Sequence, residues 1–207
     1  MKYIIFDFNG TILDDVDVNI ECINQIAKKY LNREPVKKEE YLNIFDFPVI
    51  DYYKKVGFDF DKLSFKVVGR EWMDLYESKS QEYRLMEGIE EILQNNIDKG
   101  YKNIILSASM KENLDRQCHE LGIYDYFDEI LGIDNIYAGS KEHIAKAWIE
   151  DKNPSECIFI GDTRHDLDVA CAMGVRCALV AKGHQSKAKL LEYTNEVYDD
   201  IREVNYD

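Results

Sequence analysis

The chain has 207 residues, room for one full domain of about 100–200 residues with a smaller one beside it. Hydrophobic residues make up 45% and charged residues 32%, and 14 Tyr, 9 Phe and 2 Trp can fill a core, which excludes wholesale disorder. Against 26 Lys and Arg stand 40 Asp and Glu, and the net charge of -14 repels phosphate backbones and anionic membranes, so neither nucleic acid nor a membrane is an expected partner.

Lys2 to Phe8 is the first strong segment, and its Tyr3-Ile4-Ile5-Phe6 run suits a strand buried on both faces. It runs into a turn-rich stretch, Asp7-Phe8-Asn9-Gly10-Thr11. The interval 15–85 differs from the rest: it has helical periodicity (Val16, Ile20, Ile23, Ala27, Tyr30, Leu31), then a long expected helix from Asp61 to about Ser80, and no buried-strand run. It reads as a helical insert, so 1–14 and 86–207 form the expected core. Residues 88–99 lead back to the sheet, and Asn103 to Leu106 is the next strand.

From there strands and helices alternate. Lys111 to Leu121 is helical, with Ser109 and Glu112 as an expected capping box and Gly122 at the C-cap. Glu129 to Leu131 is a short strand, Glu142 to Asp151 a helix, and Cys157 to Ile160 a buried strand ending at Gly161-Asp162. Thr163 and Asp166 form a second capping box on a helix that stops at Gly174; Arg176 to Ala181 and Ser186 to Tyr193 supply one more strand and helix. This alternation implies a doubly wound, Rossmann-like parallel sheet, an α/β fold. No apolar run approaches the ~18 residues of a membrane span, and Met1 to Asp7 reaches a charge too soon for a signal peptide. Five cysteines without a C-x-x-C pair read as reduced thiols in a cytoplasm.

Ligands of open parallel sheets bind beyond the carboxyl ends of the strands. Asp7, Ser107 and Asp162 stand at such ends, and Lys141 starts the helix before the strand at 157–160. That set suits phosphoryl transfer. An aspartate can attack phosphorus, a divalent cation such as Mg²⁺ lets two anions approach, and a hydroxyl and an ammonium bind the remaining oxygens. Bland readings exist for each residue: a strand-end or helix-start acid, a turn serine, a solvated lysine. His165 reads as an exposed first-turn residue. His119, His143 and His184 have no metal-site spacing, and Lys54, Lys55 and Arg70 read as a solvated helix face.

The four segments together resemble the haloacid dehalogenase-like hydrolases, a superfamily dominated by Mg²⁺-dependent phosphatases. Asp7-Phe8-Asn9-Gly10-Thr11 resembles its D-x-D-G-T motif, Ile104 to Ser107 its strand ending in Ser or Thr, Lys141 its lysine, and Gly161-Asp162-Thr163-Arg164-His165-Asp166 its G-D-x-x-x-D. The resemblance covers the whole chain, with the insert where members carry a helical cap. It implies Asp7 as nucleophile, with Mg²⁺ held by Asp7, the backbone carbonyl of Asn9, and Asp162, and supported by Asp166. Phosphoryl binding falls to Ser107 and Lys141, with Gly10, Thr11 and Ala108 contributing, and the substrate is a small phosphorylated metabolite. One departure stands out: the family's second aspartate, its acid–base residue, is Asn9, whose amide transfers no proton. General acid–base catalysis is worth about 10²–10⁴-fold. Three outcomes follow: a phosphatase for good leaving groups, one using another acid, or a weakened enzyme. Beside a phosphatase stand a phosphonate-cleaving hydrolase with a cap lysine (Lys54 or Lys55) and a non-catalytic metal- and phosphate-binding module.

Overall fold

The computed structural model describes residues 1–133 and 141–206. β1 (Lys2–Phe6) lies at the centre of a six-stranded sheet with β2 (Tyr101–Met110), β3 (Glu129–Ile133), β4 (Glu156–Gly161), β5 (Arg176–Val180) and β6 (Val197–Tyr198). All pairs are parallel, in the order β3-β2-β1-β4-β5-β6, so the expected doubly wound α/β fold is present.

Alternation along β1 explains the two faces. Ile4 and Phe6 enter a cluster with Ile89 and Leu93 of α5 (Ile89–Asp98) and with Leu114 and Cys118 of α6 (Lys111–Glu120). Tyr3 and Ile5 enter the opposite cluster, with Ala145 and Trp148 of α7 (Glu142–Lys152) and Val169 and Met173 of α8 (Arg164–Met173). A strand that is apolar from Tyr3 to Phe6 needs cover on both sides, and the helices supply it.

Between β1 and α5 the chain forms α1 (Val16–Leu31), α2 (Lys38–Ile44), α3 (Val49–Val56) and α4 (Phe65–Ser78). Their buried faces make a cluster of their own, including Val16, Ile23, Tyr41, Tyr53 and Val68. The expected long helix begins at Phe65 rather than Asp61, because Asp59 to Leu63 closes a turn in which Asp59 O accepts from the backbone N–H groups of Lys62 and Leu63. α2 and α3, seven and eight residues long, are too short for periodicity to announce them.

Other boundaries move for local reasons. β1 stops at Phe6 because Phe8 O accepts from the N–H groups of Thr11, Ile12 and Leu13 in a tight turn. The capping box expected at Ser109 does not form: β2 stays extended to Met110, and the Ser109 hydroxyl instead donates to Asn9 Oδ1 at 2.8 Å. The box at Thr163 and Asp166 does form, and Gly174 ends α8 in the left-handed region. The last expected helix shrinks to one turn, α9 (Lys187–Leu190), capped by the Ser186 hydroxyl. β6 emerges from the acidic tail.

Candidate active site

Register brings the candidate residues together. Phe6 lies level with Ile105 of β2 and Ile160 of β4, and the Asp7 N–H donates to Ile160 O at 2.8 Å. Ser107 and Asp162 follow those partners by two residues, so Asp7 and Asp162, just past β1 and β4, stand beside Ser107, which lies inside β2 because that strand runs on to Met110 past a shift in its pairing with β3. α7 delivers Lys141 to the same place at its N-cap position; Gly139 and Ser140 just before it lie outside the described residues.

Lys141 is 1% exposed. Its Nζ donates to Asp7 Oδ1 at 2.5 Å, Asp166 Oδ1 at 2.6 Å and Leu106 O at 3.0 Å. Burial works against the ammonium, yet Asp166 and Asp7 hold its pKa above the usual value. Asp166 Oδ2 accepts from the Thr163 hydroxyl at 2.7 Å and from the N–H groups of Thr163 and Asp162 at 2.9 and 3.2 Å. Both Asp166 oxygens therefore have protein partners. Burial pushes that carboxyl up, but Lys141 and Thr163 hold it below its ordinary value.

Asp7 and Asp162 are in the opposite state. Burial, opposed by Lys141 and reinforced by Asp166, raises Asp7. Burial, opposed by His184 and reinforced by Asp166 and Asp7, raises Asp162. One carboxylate oxygen from each of Asp7, Asp162 and Asp166 lies within 4.8 Å of the others. Hard oxygen donors crowded in this way suit Mg²⁺, which takes one or two protein carboxylates and leaves room for phosphate and water. The residues present fit that ion.

These groups form one end of a cavity of about 430 Å³. Asp7, Asn9, Ser107, Ala108, Lys141, Asp162 and Asp166 all line it. Gly10 and Thr11 do not: the Thr11 hydroxyl donates to Asp162 Oδ1 at 3.2 Å, and Gly10, at φ +75°, packs so closely that a Cβ there would collide with Asp162 Oδ2. Among the insert's cations, Lys66 lines the cavity; Lys54, Lys55 and Arg70 do not. Lys54 and Lys55 pair with Asp51 and Asp46 at the surface. His165 does line the cavity, its ring stacked on Phe47 with centroids 4.7 Å apart.

Sequence reasoning missed a second polar cluster beside the first. Asn9 Nδ2 donates to Asp15 Oδ2 and lies 2.9 Å from it and from the Tyr76 hydroxyl, which itself donates to Asp15 Oδ2 at 2.7 Å. The Gly10 N–H donates to Asp15 Oδ1 at 3.0 Å, and His184 Nε2 sits 3.2 Å from the same oxygen. His184 Nδ1 lies 2.8 Å from the hydroxyl of Tyr41 in α2, and the backbone N–H of His184 donates to Asp162 Oδ2 at 2.5 Å. Burial lowers the imidazole pKa, but Asp15, with Asp162 and Asp7 behind it, raises it to about 9. Asp15 itself is held below the ordinary range: His184, Tyr76 and Asn9 outweigh its burial. The pair is thus Asp15⁻ and His184⁺ at neutral pH. A usable signal for His184 was its place just past β5, at the ligand-bearing edge. Asp15 reads as an ordinary acid before a helix and Tyr76 as a core aromatic, so neither gave one.

Six parallel strands in this order, with acids past the ends of β1 and β4 on either side of the switch point, define a doubly wound α/β protein with its site at the sheet's carboxyl edge. The chain belongs to the haloacid dehalogenase-like hydrolases, the family it matches over residues 4–180. Pyrophosphatase PpaX from Bacillus thuringiensis (strain Al Hakam) is 22% identical over 195 residues, covering 92% of this chain and 88% of that protein. A haloacid dehalogenase-like hydrolase from Streptococcus pneumoniae superposes with a TM-score of 0.78 at 21% identity over 95% of this chain and 92% of its own. An Asp-to-Asn variant of CbbY from Rhodobacter sphaeroides, solved with xylulose-1,5-bisphosphate, gives 0.76 at 17% identity over 99% and 96%.

Proposed function

We propose that the protein is a Mg²⁺-dependent phosphatase that hydrolyses a small phosphate ester through an aspartyl-phosphate on Asp7. The observation that carries this reading is the cluster of Asp7, Asp162 and Asp166 oxygens beside Lys141 at the end of a cavity large enough for a metabolite. Membership of a hydrolase family and the likeness to a pyrophosphatase support it.

Asp7, the carbonyl of Asn9 and Asp162 would hold Mg²⁺, which supplies the charge neutralisation that lets a carboxylate approach an anionic phosphate. Asp166 acts from behind, fixing Lys141 and the start of α8. Ser107, Ala108 and Lys141 would hold the phosphoryl oxygens, while Gly10 and Thr11, which do not line the cavity, shape the turn behind it. An Asp7 oxygen attacks phosphorus, the bond to the leaving oxygen breaks, and that oxygen takes a proton from water because Asn9 carries none to give. Water then attacks the acyl phosphate, phosphate departs, and the Asp7 carboxylate is regenerated with one proton released. The helices of residues 15–85 act as a cap that excludes bulk solvent during the first step. No described helix is long and apolar enough to cross a membrane, and all five cysteines are free, which fits a cytoplasmic enzyme.

A panel of phosphate esters and acyl phosphates, run with Mg²⁺ and again with EDTA, tests the proposal. Turnover requires the metal, and Asp7→Asn lowers it by roughly 10³-fold or more. Undiminished turnover by that variant identifies another nucleophile; no turnover by the wild type on any member defeats the reading.

A further inference from the structure

The part of the cavity lined by the helical insert has a different chemistry. Phe47, Phe65, Trp72, Met73 and Tyr76 from the helical insert and Met110 from the end of β2 form its wall. Trp72 stacks on Tyr76, centroids 4.9 Å apart and planes 13° from parallel, and the Tyr76 hydroxyl is committed to Asp15. Phe47 stacks on His165 in the same manner, at 4.7 Å and 28°. Trp72 and Phe47 line the cavity and are only half-buried, so each leaves ring surface that a ligand there would cover.

The charges around the whole cavity point the same way. Its carboxylates are Asp7, Asp15, Glu77, Asp162 and Asp166; its lysines are Lys66 and Lys141. Lys141 is held by Asp7 and Asp166, His184 is paired with Asp15, and Glu77 is paired with Arg116. A leaving group with its own phosphate or carboxylate would enter a cavity richer in acids than in cations. An uncharged ring would instead cover apolar surface and stack on the exposed aromatic rings.

We infer that the substrate is the phosphate monoester of an aromatic, otherwise uncharged alcohol, its ring lying against Trp72 and Phe47. This rests on the phosphatase reading above and narrows it. It separates this chain from an enzyme for pyrophosphate or for a phosphorylated acid or sugar bisphosphate, whose second anionic group would meet more carboxylates than cations in this cavity.

The test uses leaving groups of matched chemistry. The Mg²⁺-loaded protein is assayed on 2-naphthylmethyl phosphate, ethyl phosphate, inorganic pyrophosphate and acetyl phosphate. The naphthylmethyl ester is expected to exceed ethyl phosphate in kcat/KM by about tenfold or more, the factor that ~1.4 kcal/mol supplies, with most of the gain in KM. Trp72→Leu and, separately, Phe47→Leu shrink that preference to within about threefold, about the loss of one ring contact; either variant suffices if the other fails to fold. Calorimetry adds a readout without turnover: naphthylmethylphosphonate binds more tightly than methylphosphonate to the wild type. Equal use of the two esters, or a preference for pyrophosphate, overturns the inference and leaves a phosphatase standing. No turnover of any compound, acetyl phosphate included, removes the phosphatase reading and this inference with it.

Discussion

Replacing Asn9 by aspartate, the change that restores the family's motif, is expected to destabilise this protein, and increasingly so as pH rises. The Asn9 amide donates to Asp15 Oδ2 at 2.9 Å, and Asp15 is 1% exposed. Two unit charges at that separation repel by about 6 kcal/mol at an effective dielectric near 20. The folded variant relieves most of this by keeping one proton on the pair, as crowded carboxylates do. The unfolded chain keeps none above a pH of about 4, so holding it costs ~1.4 kcal/mol per further pH unit. In that window the folded state binds one more proton than the unfolded state, and stability relative to wild type therefore falls with rising pH. Protonated His184 beside Asp15 offsets part of the cost. The expected loss is roughly 2–4 kcal/mol at pH 7.5, shrinking to under about 1 kcal/mol at pH 5. Urea melts of both proteins across that range measure it, and groups common to both cancel in the difference. Adding Asp15→Asn recovers part of the loss, giving a coupling of ~2 kcal/mol in a double-mutant cycle. A difference that stays flat with pH, or an absent coupling, refutes the reasoning.

Four further outcomes can be checked with the same melts. The His184 imidazole, raised to about 9, contributes stability that is fully present below an unfolded pKa near 6.5 and is lost as pH climbs through the folded value. His184→Asn should thus cost about 3 kcal/mol at pH 6 and much less at pH 10, and a cost independent of pH counts against the ion pair. In the presence of Mg²⁺ at ~100 times its Kd the wild type gains about 2.7 kcal/mol; EDTA reverses the gain, Asp162→Asn abolishes it, and a gain surviving in that variant places the ion elsewhere. Because Asp7 and Asp162 are raised above ordinary carboxylates, protons compete for the same oxygens, so the apparent affinity rises with pH through the neutral range. Gly10→Ala puts a Cβ at φ +75° against Asp162 and should cost ~2 kcal/mol or more and weaken the Mg²⁺ response; a neutral substitution contradicts the close packing.

The core was legible because five of its six strands carry their own signal, the two-residue β6 being too short to give one. Tyr3-Ile4-Ile5-Phe6 and Cys157-Ile158-Phe159-Ile160 are apolar runs too short for helices, and each is followed by an acid at the ligand-bearing end. Parallel pairing then leaves little freedom, since Phe6 level with Ile160 carries Asp7 and Asp162 to one edge. The insert was legible only as helical. α2 and α3 are short helices of about two turns whose Tyr41, Tyr52 and Tyr53 pack on one another, and such contacts have no fixed spacing. Ser109 shows the opposite failure: its capping pattern with Glu112 was clear but local, and pairing of β2 with β3 out to Met110 overrode it. Tyr76 to Asp15 and Tyr41 to His184 bring together residues 61 and 143 positions apart, and no motif spans such distances.

That second cluster gives a physical account of the one residue that departs from the family's pattern. Asp15 and His184 form a buried pair whose charges cancel, and the neutral amide of Asn9 completes it by donating to Asp15 and accepting from Ser109. A carboxylate at position 9 would leave the cluster with an uncompensated charge a few ångströms from Asp7 and Asp162, which burial already raises. Asn9 is therefore matched to Asp15 rather than a simple loss of an acid, and the two positions should be altered together in any attempt to move proton-donating capacity back to the site. The same pair joins the insert to the sheet, because Tyr41 of α2 holds one imidazole nitrogen while Tyr76 of α4 holds the carboxylate. Opening of the insert would strip both hydroxyls from a buried ion pair, so the electrostatics of residues 9, 15 and 184 favour the closed arrangement in which the aromatic wall stands over Asp7.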